Sequence, residues 1–277
     1  MRIIRAEEVW LRNANCMNDF SEIEYGFDCL NHAFKSRREL FKELFDISFD
    51  NFSAELEWSF NEWLPHFRAD TYIACLSEHE ADEDEIGRLS MWRAYGGDSG
   101  VAVVMNSTAF LSPSDALGAY TSPVAYLSKE QFLEKFDEVL LNIKSNSVIV
   151  NEMGKYAVLN TMLEAFRAAV LCTKHPGFRE EREWRIVHSP QYHVSERIRR
   201  DIESVGGIPQ PVCKIKLENV PSENLIGAAI PDLVDRIIIG PTRYPDVLRA
   251  AFVALLGERG VEKPEGRVFS SDIPLRR

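Results

Sequence analysis

The segment Gly177–His188, GFREEREWRIVH, constrains the fold more than any other stretch of the chain. Its second half combines a tryptophan with β-branched residues, which favour strands. Successive side chains of a strand point to opposite faces of a sheet. The two predicted faces carry Glu181, Glu183 and Arg185 on one side, and Arg182, Trp184 and Ile186 on the other. The pattern therefore predicts a strand over residues 181–188, and we expect it to form the wall of a pocket.

Composition limits the partners of the chain. Hydrophobic residues make up 45% of the 277 positions, yet no apolar run approaches the ~20 residues that span a bilayer. The first residues also lack the pattern of a secretory signal. We therefore predict a cytoplasmic protein with no membrane partner. The formal net charge of −11 disfavours general nucleic-acid binding, which usually needs a basic surface.

Cysteine and histidine spacing argues against a disulfide or metal framework. The five cysteines are odd in number, are widely spaced and form no CxxC pair, which is typical of reduced cytosolic thiols. The six histidines form neither HxxxH nor HExxH. The sequence therefore predicts no metal cofactor.

The order of helical and extended patterns predicts one α+β domain over residues 1–277, with a mixed central sheet and flanking helices. A long helical segment is predicted at about residues 23–67, because its aromatic residues recur at spacings of three, four or seven. The acidic run Glu78–Glu85 predicts a solvated loop, with a cation or cationic-partner site as the alternative. Further strands are predicted at 71–76, 100–105, 123–127, 212–217, 235–240 and 267–270, and further helices at 91–95, 128–144, 154–173 and 244–258.

Seven short motifs follow one another in a fixed order along the chain. They are Met17-Asn18-Asp19 with Glu22; Cys75-Leu76-Ser77-Glu78; Met91-Trp92 with Tyr95-Gly96; Gly100-Val101; Lys174 with Phe178, Glu181, Glu183, Trp184 and Arg185; Ile238-Ile239-Gly240-Pro241; and Ser271-Asp272-Ile273-Pro274-Leu275-Arg276. Over nearly the whole chain, this ordered set resembles the bacterial family called domain of unknown function 2971. That family has a first strand with a Tyr-x-Tyr-type start before its Asn-Asp-x-x-Glu motif, and we expect this strand to be absent here.

The Glu181-x-Glu183 motif resembles the Glu-x-Glu of arginine-modifying ADP-ribosyltransferases. In those enzymes the second carboxylate holds the nicotinamide ribose of NAD and stabilises positive charge while the glycosidic bond breaks. The chemical requirement is a fixed anion beside an oxocarbenium-like centre. The resemblance thus implies an ADP-ribosyltransferase-like fold with Glu183 and Glu181 as catalytic residues.

The same resemblance implies a set of substrate-binding residues. They are Ser77 near the ribose, Tyr95 or Trp92 stacked on nicotinamide, and Arg93 or Lys174 at the phosphates. Arg185, Asn18, Asp19 and Glu22 are further candidate substrate-binding residues from their polar patterns, and the Asn-Asp-x-x-Glu group could contact a metal instead. An early-strand arginine or histidine that orients NAD is also implied, and we expect this chain to lack it.

Each motif also has a structural interpretation. The Glu-x-Glu-x-Arg pattern fits a cross-strand charge ladder, and the Asn-Asp-x-x-Glu pattern fits a turn followed by a helix start. One basic cluster could form an anion-binding face or a solvated face: Lys174, Arg179, Arg182, Arg185, Arg197, Arg199 and Arg200.

These features lead to one predicted function and two alternatives. The prediction is an NAD-dependent ADP-ribosyltransferase-like enzyme that uses NAD as its substrate. We expect such an enzyme to act as a bacterial toxin or as an anti-phage effector. One alternative is a non-catalytic module that binds a nucleotide or a polypeptide in the same cleft. The other is a metal-independent nuclease that uses the Arg/Glu/His cluster. The transferase interpretation requires Glu181, Glu183, Ser77 and Tyr95 to line one cleft.

Overall fold

A computed structural model of the chain describes residues 2–16, 21–111, 114, 116–192 and 194–274. Its strands are β1 Glu8–Asn13, β2 Tyr72–Ser77, β3 Val101–Met105, β4 Tyr120–Pro123, β5 Ala125–Tyr126, β6 Thr173–Lys174, β7 Glu183–His188, β8 Ile198–Val205, β9 Ile208–Lys216, β10 Val234–Ile239 and β11 Val268–Ser270. Its helices are α1 Arg2–Ala6, α2 Ser21–Ser36, α3 Arg38–Phe45, α4 Phe52–Ala69, α5 Leu89–Tyr95, α6 Thr108–Leu111, α7 Lys129–Ser145, α8 Ser147–Met153, α9 Lys155–Leu171, α10 Ile230–Leu233 and α11 Pro245–Glu258. The predicted α+β class is confirmed.

The chain separates into two compact units. The first contains Met1–Arg12, Tyr72–Thr121 and Glu180–Arg277, and the second contains Asn13–Thr71 and Ser122–Arg179. The single-domain organisation expected from the sequence stays a prediction.

The first unit is built on two sheets. One has six strands in the order β4-β7-β2-β1-β9-β8, and the other has three in the order β11-β10-β3. Leu11, Tyr72 and Ile186 form the buried cluster on one face of the larger sheet. The smaller sheet is centred on β10, where Ile237 and Ile239 are fully buried, as predicted from their place on an apolar strand.

The second unit is helical, with one short parallel pair, β5 with β6. The helical segment predicted at 23–67 consists of three helices, because the chain turns at Arg37 and again between Phe45 and Phe52. Its aromatic residues pack as expected of a core: the rings of Phe45 and Phe52 stack with centroids 4.8 Å apart, and both are almost fully buried. Trp58 is the exception, with 65% of its surface exposed.

Strand β8 and helix α8 are among the elements that the sequence patterns missed. Strand β8 forms a hairpin with β9, although its sequence, IRRDIESV, is mostly charged or polar. Helix α8 precedes the predicted helix at 154–173, and Gly154 separates α8 from α9 with a φ of 79°. Within the described ranges, no helix combines the length and apolarity needed to cross a bilayer.

Candidate functional site

The Glu-x-Glu motif spans a break in the backbone. Glu181 ends a 3-10 helix that begins at Pro176, and strand β7 begins only at Glu183. Arg182, between them, has a φ of 44°, which is left-handed. The predicted strand over 181–188 is therefore too long by two residues, and Glu181 does not take part in the alternation of β7.

Glu183 and Arg185 form a buried ion pair on one face of β7. Arg185 Nε donates to Glu183 Oε1 at 2.7 Å, and the guanidinium also reaches Glu183 Oε2 at 3.5 Å. Glu183 is 5% exposed and Arg185 is 1% exposed. The pair resembles the predicted charge ladder, but it lies within one strand and both groups are buried. Removing either partner would leave the other charge buried and uncompensated.

Strand pairing places Ser77 beside Glu183. Strands β2 and β7 are antiparallel, and Ser77, the last residue of β2, lies opposite Glu183, the first residue of β7. Leu11 belongs to the buried cluster on the opposite face of this sheet, so Arg12 shares the face of Ser77 and Glu183. Arg12 Nε donates to Gln210 Oε1 at 3.0 Å.

Arg12 is a residue that sequence reasoning missed. It lies on β1, a strand that precedes the Asn18-Asp19 motif and carries Trp10 where a Tyr-x-Tyr start was expected. A strand and a strand arginine are thus present in the region where we expected this chain to lack both. Strand β1 was missed because the sequence of Met1–Leu11 has only a short amphipathic pattern, which does not identify a strand.

Glu181 and Tyr95 meet at the same edge of the sheet. Tyr95 Oη donates to Glu181 Oε1 at 2.9 Å, and Ser77 Oγ donates to the Glu181 backbone oxygen at 2.6 Å. Tyr95 is 54% exposed and Glu181 is half-buried. Ser77 and Tyr95 both line the cavity at this edge, whereas Glu181 and Glu183 are not among its lining residues, so the structure brings together two of the four residues that the transferase interpretation requires in one cleft.

A cavity of about 870 Å³ opens at this edge within the first unit. Its inner wall is apolar and aromatic, with contributions from β2, β3, β7 and α5, including Met91, Val103 and Trp184. Its charged lining is largely acidic, with Glu78 and Asp235 among the carboxylates. Because most of these carboxylates are paired with arginines, the arrangement suits an apolar ring.

Trp92 lines the cavity but serves mainly as packing. Only 5% of it is exposed, and its indole nitrogen donates to the Ile86 carbonyl at 2.9 Å. A Cβ atom added at Gly87 or at Gly240 would approach the ring to 2.5 or 2.7 Å, so both glycines are needed for the ring to fit. The prediction that Trp92 stacks on nicotinamide is disfavoured by this burial, whereas Tyr95 is accessible.

Trp184 is less buried than expected of a large apolar residue on a strand. It is half-buried rather than core, and its indole nitrogen donates to Glu78 Oε1 at 2.6 Å. Ile186, two residues later, is buried as expected. The wall of the cavity near the strand start is therefore partly accessible.

The predicted solvated loop Glu78–Glu85 is held in place by ion pairs and hydrogen bonds within the first unit. Glu83 accepts two hydrogen bonds from Arg88, and Glu80 forms an ion pair with Arg182. Asp84 pairs with Arg236 at 3.1 Å. The hydrogen bond from Arg88 is the main cause that lowers the pKa of Glu83. The acidic run is therefore largely a set of internal ion pairs.

Several predicted substrate residues lie elsewhere. Arg93 is exposed on α5, and Lys174 is a buried residue of the second unit, with its Nζ 4.6 Å from the Phe178 ring centre. Asn18 and Asp19 lie outside the described residues, as does the side chain of Glu22 on α2.

The predicted basic cluster is largely neutralised within the chain. Arg182, Arg185, Arg197 and Arg199 pair with Glu80, Glu183, Glu223 and Glu8, and Arg200 donates to the Tyr72 hydroxyl. The structure therefore gives no support to one continuous anion-binding face. In the described part of the chain, no group of three or more histidine, cysteine or acidic side chains is arranged to hold a metal ion.

Comparison with known proteins finds a family match over part of the chain. Residues 91–186 match the model of a family described as a protein of unknown function, DUF2971. The match confirms the resemblance predicted from the motifs, and it covers Tyr95, Glu181 and Glu183. No curated protein and no solved structure matches the chain.

Proposed function

We propose that the first unit binds NAD where β2 and β7 meet, cleaves its glycosidic bond and transfers ADP-ribose. One observation supports this most: a buried, ion-paired carboxylate, Glu183, begins a strand directly opposite Ser77 at the end of the neighbouring strand. A carboxylate fixed by a rigid partner is pre-organised to stabilise charge that develops during reaction.

The proposed reaction places positive charge beside Glu183. The bond between the nicotinamide nitrogen and C1′ of the ribose breaks, and its electron pair leaves with nicotinamide. The carboxylate of Glu183 stabilises the cationic ribosyl carbon that remains. An acceptor hydroxyl, amine, guanidine or water then bonds to C1′ and gives its proton to Glu181, which the Tyr95 hydroxyl orients.

The shape of the cavity is compatible with this substrate. A volume of about 870 Å³ lies within the usual range for ligand pockets. The nicotinamide ring of NAD is flat and largely apolar, which matches the apolar and aromatic wall of the cavity.

A binding module without turnover is the second candidate. It is favoured by one feature of the site: both carboxylate oxygens of Glu183 already interact with Arg185. Such a carboxylate can shape a pocket without acting on a reaction. The nuclease alternative has less support, because His188 on β7 is 3% exposed and its Nδ1 is engaged 2.9 Å from the Gly118 carbonyl.

Release of nicotinamide from NAD, measured beside calorimetric titration of NAD, separates these candidates. Binding with release supports the transferase, and binding without release supports the module. If the protein neither binds NAD nor releases nicotinamide, the NAD proposal is wrong. Glu180→Gln is a matched control, because the Glu180 side chain is exposed while its backbone stays the same.

We also propose that the protein acts in the cytoplasm, as a toxin or as an anti-phage effector. An enzyme that consumes NAD lowers the NAD content of the cell in which it acts. Induced expression in bacteria should therefore deplete NAD and slow growth, and Glu183→Gln should abolish both effects. If the unchanged protein and Glu183→Gln inhibit growth equally, the toxicity does not come from NAD cleavage.

A further inference from the structure

Arg88 uses all five of its N–H donors within the first unit. Its Nε and one terminal nitrogen donate to the two Glu83 carboxylate oxygens at 2.6 and 2.9 Å. That terminal nitrogen also donates to the Glu78 backbone oxygen at 2.7 Å. The other terminal nitrogen donates to Ser77 Oγ at 3.1 Å and to the Glu180 backbone oxygen at 2.7 Å.

These contacts join chain segments that are far apart in sequence. Ser77 ends β2, Glu78 and Glu83 belong to the acidic loop that follows it, and Glu180 precedes the proposed catalytic pair. The same junction contains the hydrogen bond from the Glu78 amide to the Arg182 carbonyl, 2.8 Å long. Arg182 holds a left-handed φ that persists only where its surroundings fix it.

We infer that Arg88 is a positioning residue that fixes Ser77 and the 180–182 segment in the geometry the proposed reaction requires. This inference rests on the function proposed above and deepens it. Because a guanidinium presents its donors in a rigid planar fork, it can bond three backbone or hydroxyl oxygens and a carboxylate at once. A lysine keeps the charge but has three donors from one atom and cannot reproduce the fork.

Arg236 provides a matched control. It pairs with Asp84, in the same acidic loop, and with Asp235 at 2.7 Å. It is partly exposed like Arg88, yet its hydrogen bonds and ion pairs within the described residues go to Asp84 and Asp235 and not to Ser77 or the 180–182 segment. Arg236→Lys therefore disturbs the loop without disturbing the junction.

The test compares Arg88→Lys with Arg236→Lys and the unchanged protein by two readouts. In nicotinamide release, we expect Arg88→Lys to lower kcat by ~10-fold or more with little change in KM, because misplaced groups affect the transition state most. In hydrogen exchange, we expect the Glu78 amide of Arg88→Lys to exchange ~10-fold faster or more, since its bond to Arg182 opens locally. Arg236→Lys should change neither readout more than about 2-fold.

The outcomes distinguish this inference from the proposed function. Unchanged exchange at Glu78 in Arg88→Lys overturns the positioning role, whatever the activity. Faster exchange with unchanged kcat also overturns it, because Arg88 is then structural only. If the unchanged protein releases no nicotinamide, the transferase proposal fails, and the reaction-linked positioning role fails with it, while the exchange measurement still decides whether Arg88 fixes the junction.

Discussion

Gly240→Ala should destabilise the protein through the Trp92 ring. A Cβ atom at position 240 would lie 2.7 Å from Trp92 Cε3 and 2.9 Å from Cζ3. Optimal carbon contacts are ~3.5 Å or longer, so the ring must move by about 0.8 Å. The backbone cannot retreat freely, because the Gly240 amide donates to the Gly100 carbonyl at 2.8 Å and the new Cβ would lie 3.1 Å from that oxygen.

The expected cost follows from two opposing effects. Overpacking of a closed site costs ~1–3 kcal/mol. Replacing glycine by alanine restricts the unfolded chain and returns ~0.4–1 kcal/mol. We therefore expect a net loss of about 1–2 kcal/mol in the free energy of unfolding. Gly87→Ala should cost more, because its φ is +68° and its Cβ would approach Trp92 to 2.5 Å.

Urea unfolding followed by tryptophan fluorescence measures this loss as a shift in the midpoint. Gly257→Ala is the control, since it lies within α11 and the nearest atom to its Cβ would be 3.8 Å away. That variant should be as stable as the unchanged protein or more stable by up to ~1 kcal/mol. If Gly240→Ala is as stable as Gly257→Ala, the packing role assigned to Trp92 is wrong.

Three further perturbations have expected outcomes. Glu83→Gln should cost ~1–3 kcal/mol in urea melts at neutral pH, because Arg88 loses a charged partner. Arg88 lowers the pKa of Glu83, so the stability that this ion pair contributes is present above the ordinary pKa of 4.5 and is lost as the pH falls through the lowered pKa. The two proteins should therefore converge in free energy of unfolding in acid. A difference that does not change with pH would show that the ion pair is not its cause. Trp184→Ala should cost less than the ~3–5 kcal/mol of a fully buried ring, which the same melts would show. Phe45→Ala should lower the free energy of unfolding by ~3–5 kcal/mol, because the ring is 1% exposed and stacks on Phe52. A loss under ~1 kcal/mol in melts followed by far-ultraviolet circular dichroism would argue against that packing.

Some parts of the site could be predicted because they depend on local patterns. The alternation of side chains between two faces around Trp184 and Ile186 predicted β7, and the apolar run before Ser77 predicted β2. Two strands that end in polar residues commonly supply a site, and the register of Ser77 with Glu183 agrees with that expectation.

Other parts could not be predicted because their causes are distant in sequence. Nothing in the charged run at 179–183 marks Arg182 as left-handed, since glutamate and arginine fit a strand as well as a turn. Arg88 bonds mainly to backbone oxygens and to a serine, up to 92 positions away, and such partners leave no side-chain pattern. Trp92 looked available for stacking, because the glycine at 240 that gives the ring its space is 148 positions later.

The effect of Glu183→Gln on nicotinamide release tests the proposed function most directly. Glutamine keeps the shape of the side chain and removes its negative charge, which also leaves the buried Arg185 without a charged partner, so the variant must first be shown to be folded by circular dichroism. We expect kcat to fall by ~10²-fold or more, while the dissociation constant for NAD from calorimetry changes by less than ~3-fold. Nicotinamide release by Glu183→Gln at the rate of the unchanged protein would contradict the catalytic role of this carboxylate.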